Sequence, residues 1–170
     1  MTPEQFQAVY PHFMAWIERL LNAHASQAQP VASRGFPRLP LYFSRALLSS
    51  AKFVVVERVP MPPLTALGLS QFAEFERSDN SGVTYLDTYF VKRGRATDEP
   101  LHFHELIHVV QWRLLGPERF LSDYAAGLET FGYRNSPLEV MAYDAEASFS
   151  QTDHVFDAER LVAEQLRRRQ

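Results

Sequence analysis

The chain has 170 residues, of which 46% are hydrophobic and 13% aromatic; this suits one folded domain with a proper core and excludes a disordered segment. A net charge of −3 leaves no basic footprint for nucleic acid, since the only basic run is the arginines at 167–169. With no cysteine, disulfides, thiolate metal ligands and a cysteine nucleophile are excluded together, so any metal must be held by nitrogen and oxygen. No basic N-terminal segment leads into an apolar stretch, and no window approaches a membrane span. The expectation is therefore a cytoplasmic protein without a membrane partner.

Phe6, Val9, Phe13, Ile17, Leu20 and Leu21 recur at helical intervals behind Thr2, Pro3 and Gln5, which have the arrangement of a capping box. The spacing predicts an N-terminal helix, with Pro11 as a kink or a second start. Residues 28–40 read as a loop and 41–50 as a short helix. Residues 52–59 are β-branched and end at Pro60, Pro62 and Pro63, so they read as a strand. "QFAEFER" fits a strand or a short helix, "SDNSG" has turn chemistry, and 83–92 reads as one alternating strand. Everything after Pro100 carries helical periodicity. Strands followed by helices make the fold class α+β, with a small, mostly antiparallel sheet packed against the helices. The whole, 1–170, is read as one domain: an N-terminal helical segment (1–50), a sheet (52–92), a helical core (101–150) and a C-terminal helix (151–170).

Chemistry concentrates in "HFHELIHVVQW", residues 102–112. On a helix, His104 and His108 lie one turn apart on one face, while Phe103, Leu106, Ile107, Val110 and Leu114 gather on another arc. H-E-x-x-H spacing points to a Zn(II) site. His104 and His108 are its metal ligands, and Glu105 is the general base acting on water acidified by the ion. His102 points elsewhere and reads as a surface residue or a support for a ligand.

Zinc chemistry needs a third protein ligand, and "RNSPLEVMAYDAE" supplies the candidates. Pro137 suits the first helical position, which puts Glu139, Ala142, Tyr143 and Glu146 on one face. Glu139 also completes a capping box with Ser136, so the residues alone leave Glu139 and Glu146 both open as ligand. Tyr133, Arg134 and Tyr143 are candidate donors to a developing oxyanion, and Asp144 a candidate support for a ligating imidazole.

The sequence His104-Glu105-x-x-His108 followed by a helix bearing Glu139-x-x-Ala142 resembles the small, single-domain bacterial gluzincin metallopeptidases, or minigluzincins. The resemblance covers residues 83–146. It implies a zincin-like domain, Glu139 as third ligand, and 83–92 as the strand beside which an extended peptide or protein substrate lies. The expected function is zinc-dependent hydrolysis of peptide bonds. A zincin-like module that holds metal as an interaction or scaffold element, without turnover, is the alternative.

Overall fold

Thr2 opens the first helix, α1 (Pro3–Ala23), with a reciprocal cap: its hydroxyl accepts from the Gln5 amide and the Gln5 side chain accepts from the Thr2 amide. The computed structural model describes residues 1–151 and 154–169. The parts of the expected C-terminal segment at 152, 153 and 170 lie outside the described residues. Pro11 sits within α1 without ending it, because Phe13, Trp16, Leu20 and Leu21 pack on the core from the second half of the helix.

The chain then runs through β1 (Gln29–Pro30), α2 (Arg45–Ser50), β2 (Lys52–Val56), α3 (Ala73–Glu76), β3 (Gly82–Tyr85) and β4 (Thr88–Lys92). The strand order is β1-β2-β4-β3. β1–β2 and β3–β4 are antiparallel, as expected for most of the sheet, but the central pair β2–β4 is parallel, so the sheet is mixed. The crossover that makes β4 parallel to β2 is the proline-rich 57–81 segment, which lacks the long helix such connections usually carry. Within it "QFAEFER" is helical, as a 3-10 turn followed by α3. Residues 83–92 are not one strand either. They fold as a hairpin whose two-residue turn is Leu86-Asp87, with Leu86 at φ 60 where glycine would ordinarily stand.

Four helices complete the fold: α4 (Glu99–Leu115), α5 (Pro117–Phe131), α6 (Pro137–Gln151) and α7 (Ala158–Arg167). With seven α-helices and a four-stranded sheet among the described residues, the chain is α+β. None of its described helices is long and apolar enough to cross a membrane. α4 packs on β3, β4, α5, α6 and α7. It is not amphipathic as its sequence suggested: every residue from 101 to 112 is buried, and Leu114, expected on the apolar arc, is exposed. Phe103 stacks on Phe149 of α6 at 4.4 Å, and Tyr42 meets both rings edge-on, which locks α4 to α6.

His102 belongs to this core and is neither a surface residue nor a support for a ligand. It is fully buried, its Nδ1 meets the Tyr89 hydroxyl at 2.7 Å and its Nε2 the Ala96 carbonyl at 3.2 Å. The carbonyl can only accept, so Nε2 carries the proton and the Tyr89 hydroxyl donates to Nδ1. Burial holds this ring neutral and lowers its pKa to about 4. In the unfolded chain it titrates near 6.5, so between those values the unfolded state binds more protons. Stability conferred by the neutral ring is therefore complete above about 6.5 and lost as pH falls towards 4. A proton NMR titration of the His102 ring should have its midpoint near 4, and a midpoint near 6.5 would contradict the buried, satisfied ring.

Candidate metal centre

His104 and His108 face α6, and Glu139 in the first turn of α6 faces them. The two Nε2 atoms are 3.2 Å apart, and Glu139 places Oε2 3.5 Å from His104 Nε2 and Oε1 3.3 Å from His108 Nε2. All three side chains are buried. Two small residues allow this approach. Ala142 is fully buried under α4, and Gly127 of α5 lies so close to the start of α6 that a Cβ would stand 2.4 Å from Ser136 Oγ. Ser136 Oγ has no hydrogen-bond partner, so the competing capping box is not formed and the Glu139 carboxylate turns to the histidines.

The outer nitrogens show where the lone pairs point. Gln111 Nε2 donates to the Leu138 carbonyl at 3.0 Å, which turns Gln111 Oε1 towards His108 Nδ1 at 2.8 Å. An amide oxygen only accepts, so the His108 proton is on Nδ1. His104 Nδ1 likewise donates to Glu146 Oε2 at 3.0 Å. Glu146, the other candidate ligand, thus orients a histidine and stands outside the triangle. Both Nε2 lone pairs face the Glu139 carboxylate, whose Oε2 is a buried oxygen with no hydrogen-bond partner while Oε1 accepts from the Tyr124 hydroxyl at 2.6 Å. Converging lone pairs repel unless a cation lies between them. His104, His108 and Glu139 form a buried group whose ligand atoms lie within 4.8 Å of one another and which can hold a metal ion.

Without an ion a proton takes that place. Burial disfavours charge on His104, but Glu139 and Glu146 outweigh it and raise its pKa to about 10. Burial also works against charge on Glu139, yet the His108 and His104 rings hold its carboxyl well below the usual range. A divalent ion entering the site at pH 8 should therefore expel about one proton. Calorimetry in buffers of different ionisation enthalpy measures this, and release of none would contradict the imidazolium assigned to His104.

Glu105 occupies the side of α4 that faces β3. Thr84 Oγ1 donates to its Oε2 at 2.6 Å, and its Oε1 lies where a Cβ on Gly82 would stand, only 2.2 Å away. Gly82 is therefore the first residue of a strand, where the missing side chain makes room for a carboxylate, and not part of the turn its sequence suggested. Burial raises the Glu105 pKa, partly offset by His104 and His108.

A polar cleft of about 370 Å³ opens over the group, lined by Asn80, Gly82, His104, Glu105, Tyr133 and Arg134 among others. Tyr143 also lines it, with its ring 4.6 Å from that of His104 and the Arg134 guanidinium 5.5 Å from its ring centre. Asp144 is exposed on α6 and supports neither imidazole. Gln111, Thr84, Gly82 and Tyr124 are the site residues that sequence reasoning missed. Only Gln111 had a usable signal, standing three residues after His108 on the same helix.

No family model, curated protein or solved structure matches the chain, so the geometry of the site carries the functional reading.

Proposed function

We propose that this chain is a zinc-dependent hydrolase of peptide bonds, with His104, His108 and Glu139 holding one Zn(II) and Glu105 acting as general base. The observation that carries the reading is the convergence of two oriented imidazole lone pairs beside a buried carboxylate oxygen that lacks a hydrogen-bond partner. Two nitrogens and an oxygen suit zinc. Donors around a tetrahedral zinc, at bond lengths of about 2.0–2.1 Å, stand about 3.3 Å from one another. Here the two Nε2 atoms are 3.2 Å apart, and each has a different Glu139 oxygen near that distance, Oε1 at 3.3 Å from His108 and Oε2 at 3.5 Å from His104. Three protein donors, where a structural site has four, leave a position for reactants.

Zinc supplies Lewis acidity, acidifying water and polarising the scissile carbonyl. Glu105 accepts a proton from the attacking water and delivers it to the departing amine; the rise in its pKa on burial suits a group that carries a proton between two steps. Thr84 and Gly82 hold that carboxylate in position. Tyr133, Tyr143 and Arg134 present donors at the cleft for the developing oxyanion. β3 is the sheet edge, and Trp112 Nε1 donates to its Thr84 carbonyl at 3.2 Å. Alternation along an antiparallel strand then points Gly82, two residues away, outward as well, which supports an extended peptide lying along this edge in a zincin-like arrangement.

Zinc-loaded protein should cleave members of a quenched-fluorescent peptide panel, stop when a chelator is added, and resume when zinc is restored. The near-complete burial of the ligands favours a second reading, a module that holds metal without turnover. Full zinc loading with no peptide cleaved would establish that one. Gly82→Ala, which displaces the Glu105 carboxylate and touches no ligand, should lower hydrolysis about a hundredfold with zinc retained. Unchanged turnover in this variant would contradict the role given to Glu105.

A further inference from the structure

Behind Glu105 the site opens inward as well as outward. A cavity of about 60 Å³ lies under β3, walled by Val83, Trp112, Phe120 and Leu121 and reaching Glu105, His108 and Glu139. Asn80, Gly82, Glu105 and Tyr133 line both this cavity and the polar cleft, so the two meet at the general base. A second cavity, about 70 Å³, continues away from the metal group between α1, α5 and the 62–75 segment. Phe13, Pro62, Phe75, Leu121 and Tyr124 line both cavities, so the two adjoin. The far cavity is walled by Val9, Leu64, Leu69, Phe72, Ala125 and Leu128, none of which carries a polar side-chain atom.

Protein interiors are close-packed, and the few apolar voids they keep stay dry and admit apolar ligands. Here the far cavity is apolar and lies in a lobe built by α1 and the 62–75 segment, while the near one adjoins it with Glu105, His108 and Glu139 among its lining residues. That lobe has its own small cluster, Leu64, Leu69 and Phe72, separate from the main core. Resting on the hydrolase reading above, we propose that the substrate carries, next to the scissile amide, an apolar alkyl or acyl chain. The main chain occupies the polar cleft and the chain passes Glu105 into both cavities. Length is selected by the far wall.

Two series test this. Metal-free protein is titrated by calorimetry with straight-chain alcohols from butanol to decanol, and zinc-loaded protein with the matching alkyl hydroxamates. In both, affinity should rise about fourfold per added methylene until the far cavity is full. Ala125→Phe and Val9→Phe, which fill that cavity from opposite sides, should bring the plateau to shorter chains; a variant is read only if it melts like the wild type. Affinity independent of length in the alcohols, or a plateau that neither variant moves, would overturn the proposal. So would alcohols that rise with length while hydroxamates do not, since the cavities would then be unconnected to the metal group. Failure of the protein to take up zinc, with the alcohol series rising as stated, would overturn the hydrolase reading and leave the apolar slot standing.

Discussion

Replacing Glu105 by Gln should lower peptide hydrolysis by roughly 10²- to 10⁴-fold, the usual worth of a positioned general base, while zinc content stays at the wild-type level. The substitution keeps the shape of the side chain. Thr84 Oγ1 can donate to the amide oxygen as it does to Oε2, and the space against Gly82 remains filled. What disappears is the ability to accept a proton. Burial of Glu105 outweighs the attraction of His104 and His108 and raises its pKa, so the neutral amide relieves a net penalty on the charge and the melting temperature should be unchanged or higher. Kinetics on a cleaved peptide with the two proteins equally loaded provide the check. Turnover within a factor of a few of wild type would remove Glu105 from the mechanism.

Glu139→Ala should have the second large effect, on metal rather than on chemistry. It deletes one corner of the donor triangle and the charge facing both imidazoles, so zinc affinity should fall by more than the 10- to 100-fold that loss of an orienting partner costs. Glu146→Ala, which removes such a partner from His104, serves as the comparison and should stay within that range. The readout is the zinc-induced rise in melting temperature. At a hundredfold excess over Kd, bound ion stabilises the wild type by about 2.7 kcal/mol, a shift of roughly 5–10 °C for a chain of this size. At the same zinc concentration Glu139→Ala should show almost none of it. A larger loss in Glu146→Ala than in Glu139→Ala would mean that the ligand and its support have been exchanged.

The helices were legible because their signals are local. Thr2 with Gln5, Pro117 and Pro137 mark helix starts that need no tertiary contact, and all three stand where those helices begin. The sheet was harder. The hairpin turn at Leu86-Asp87 contains no glycine or asparagine, and Leu86 takes its positive φ with its side chain packed on the core, so two strands read as one. The parallel β2–β4 pair is fixed by a crossover whose proline content reads only as a stop. On α4 the apolar arc was read correctly at Phe103, Leu106, Ile107 and Val110 but not at Leu114, which is exposed, and burial of the remaining faces depends on α5, α6 and α7 arriving from elsewhere in the chain. The same holds for the site. Two residues four apart on one helix can be paired by eye, whereas a threonine, a glycine and a tyrosine delivered by β3 and α5 carry no mark of their role. Glu139 and Glu146, inseparable by spacing, differ because the first turn of α6 sits beside both Nε2 atoms and the third reaches only one outer nitrogen.

The central claim is that His104, His108 and Glu139 hold one zinc. Metal content by plasma emission spectroscopy tests it most directly, on protein purified without chelator or histidine tag and compared with His108→Ala and Glu139→Ala. The account predicts about one zinc per wild-type chain and close to none in either variant. A wild type that takes up no metal when zinc is supplied, or variants that retain it in full, would contradict the account.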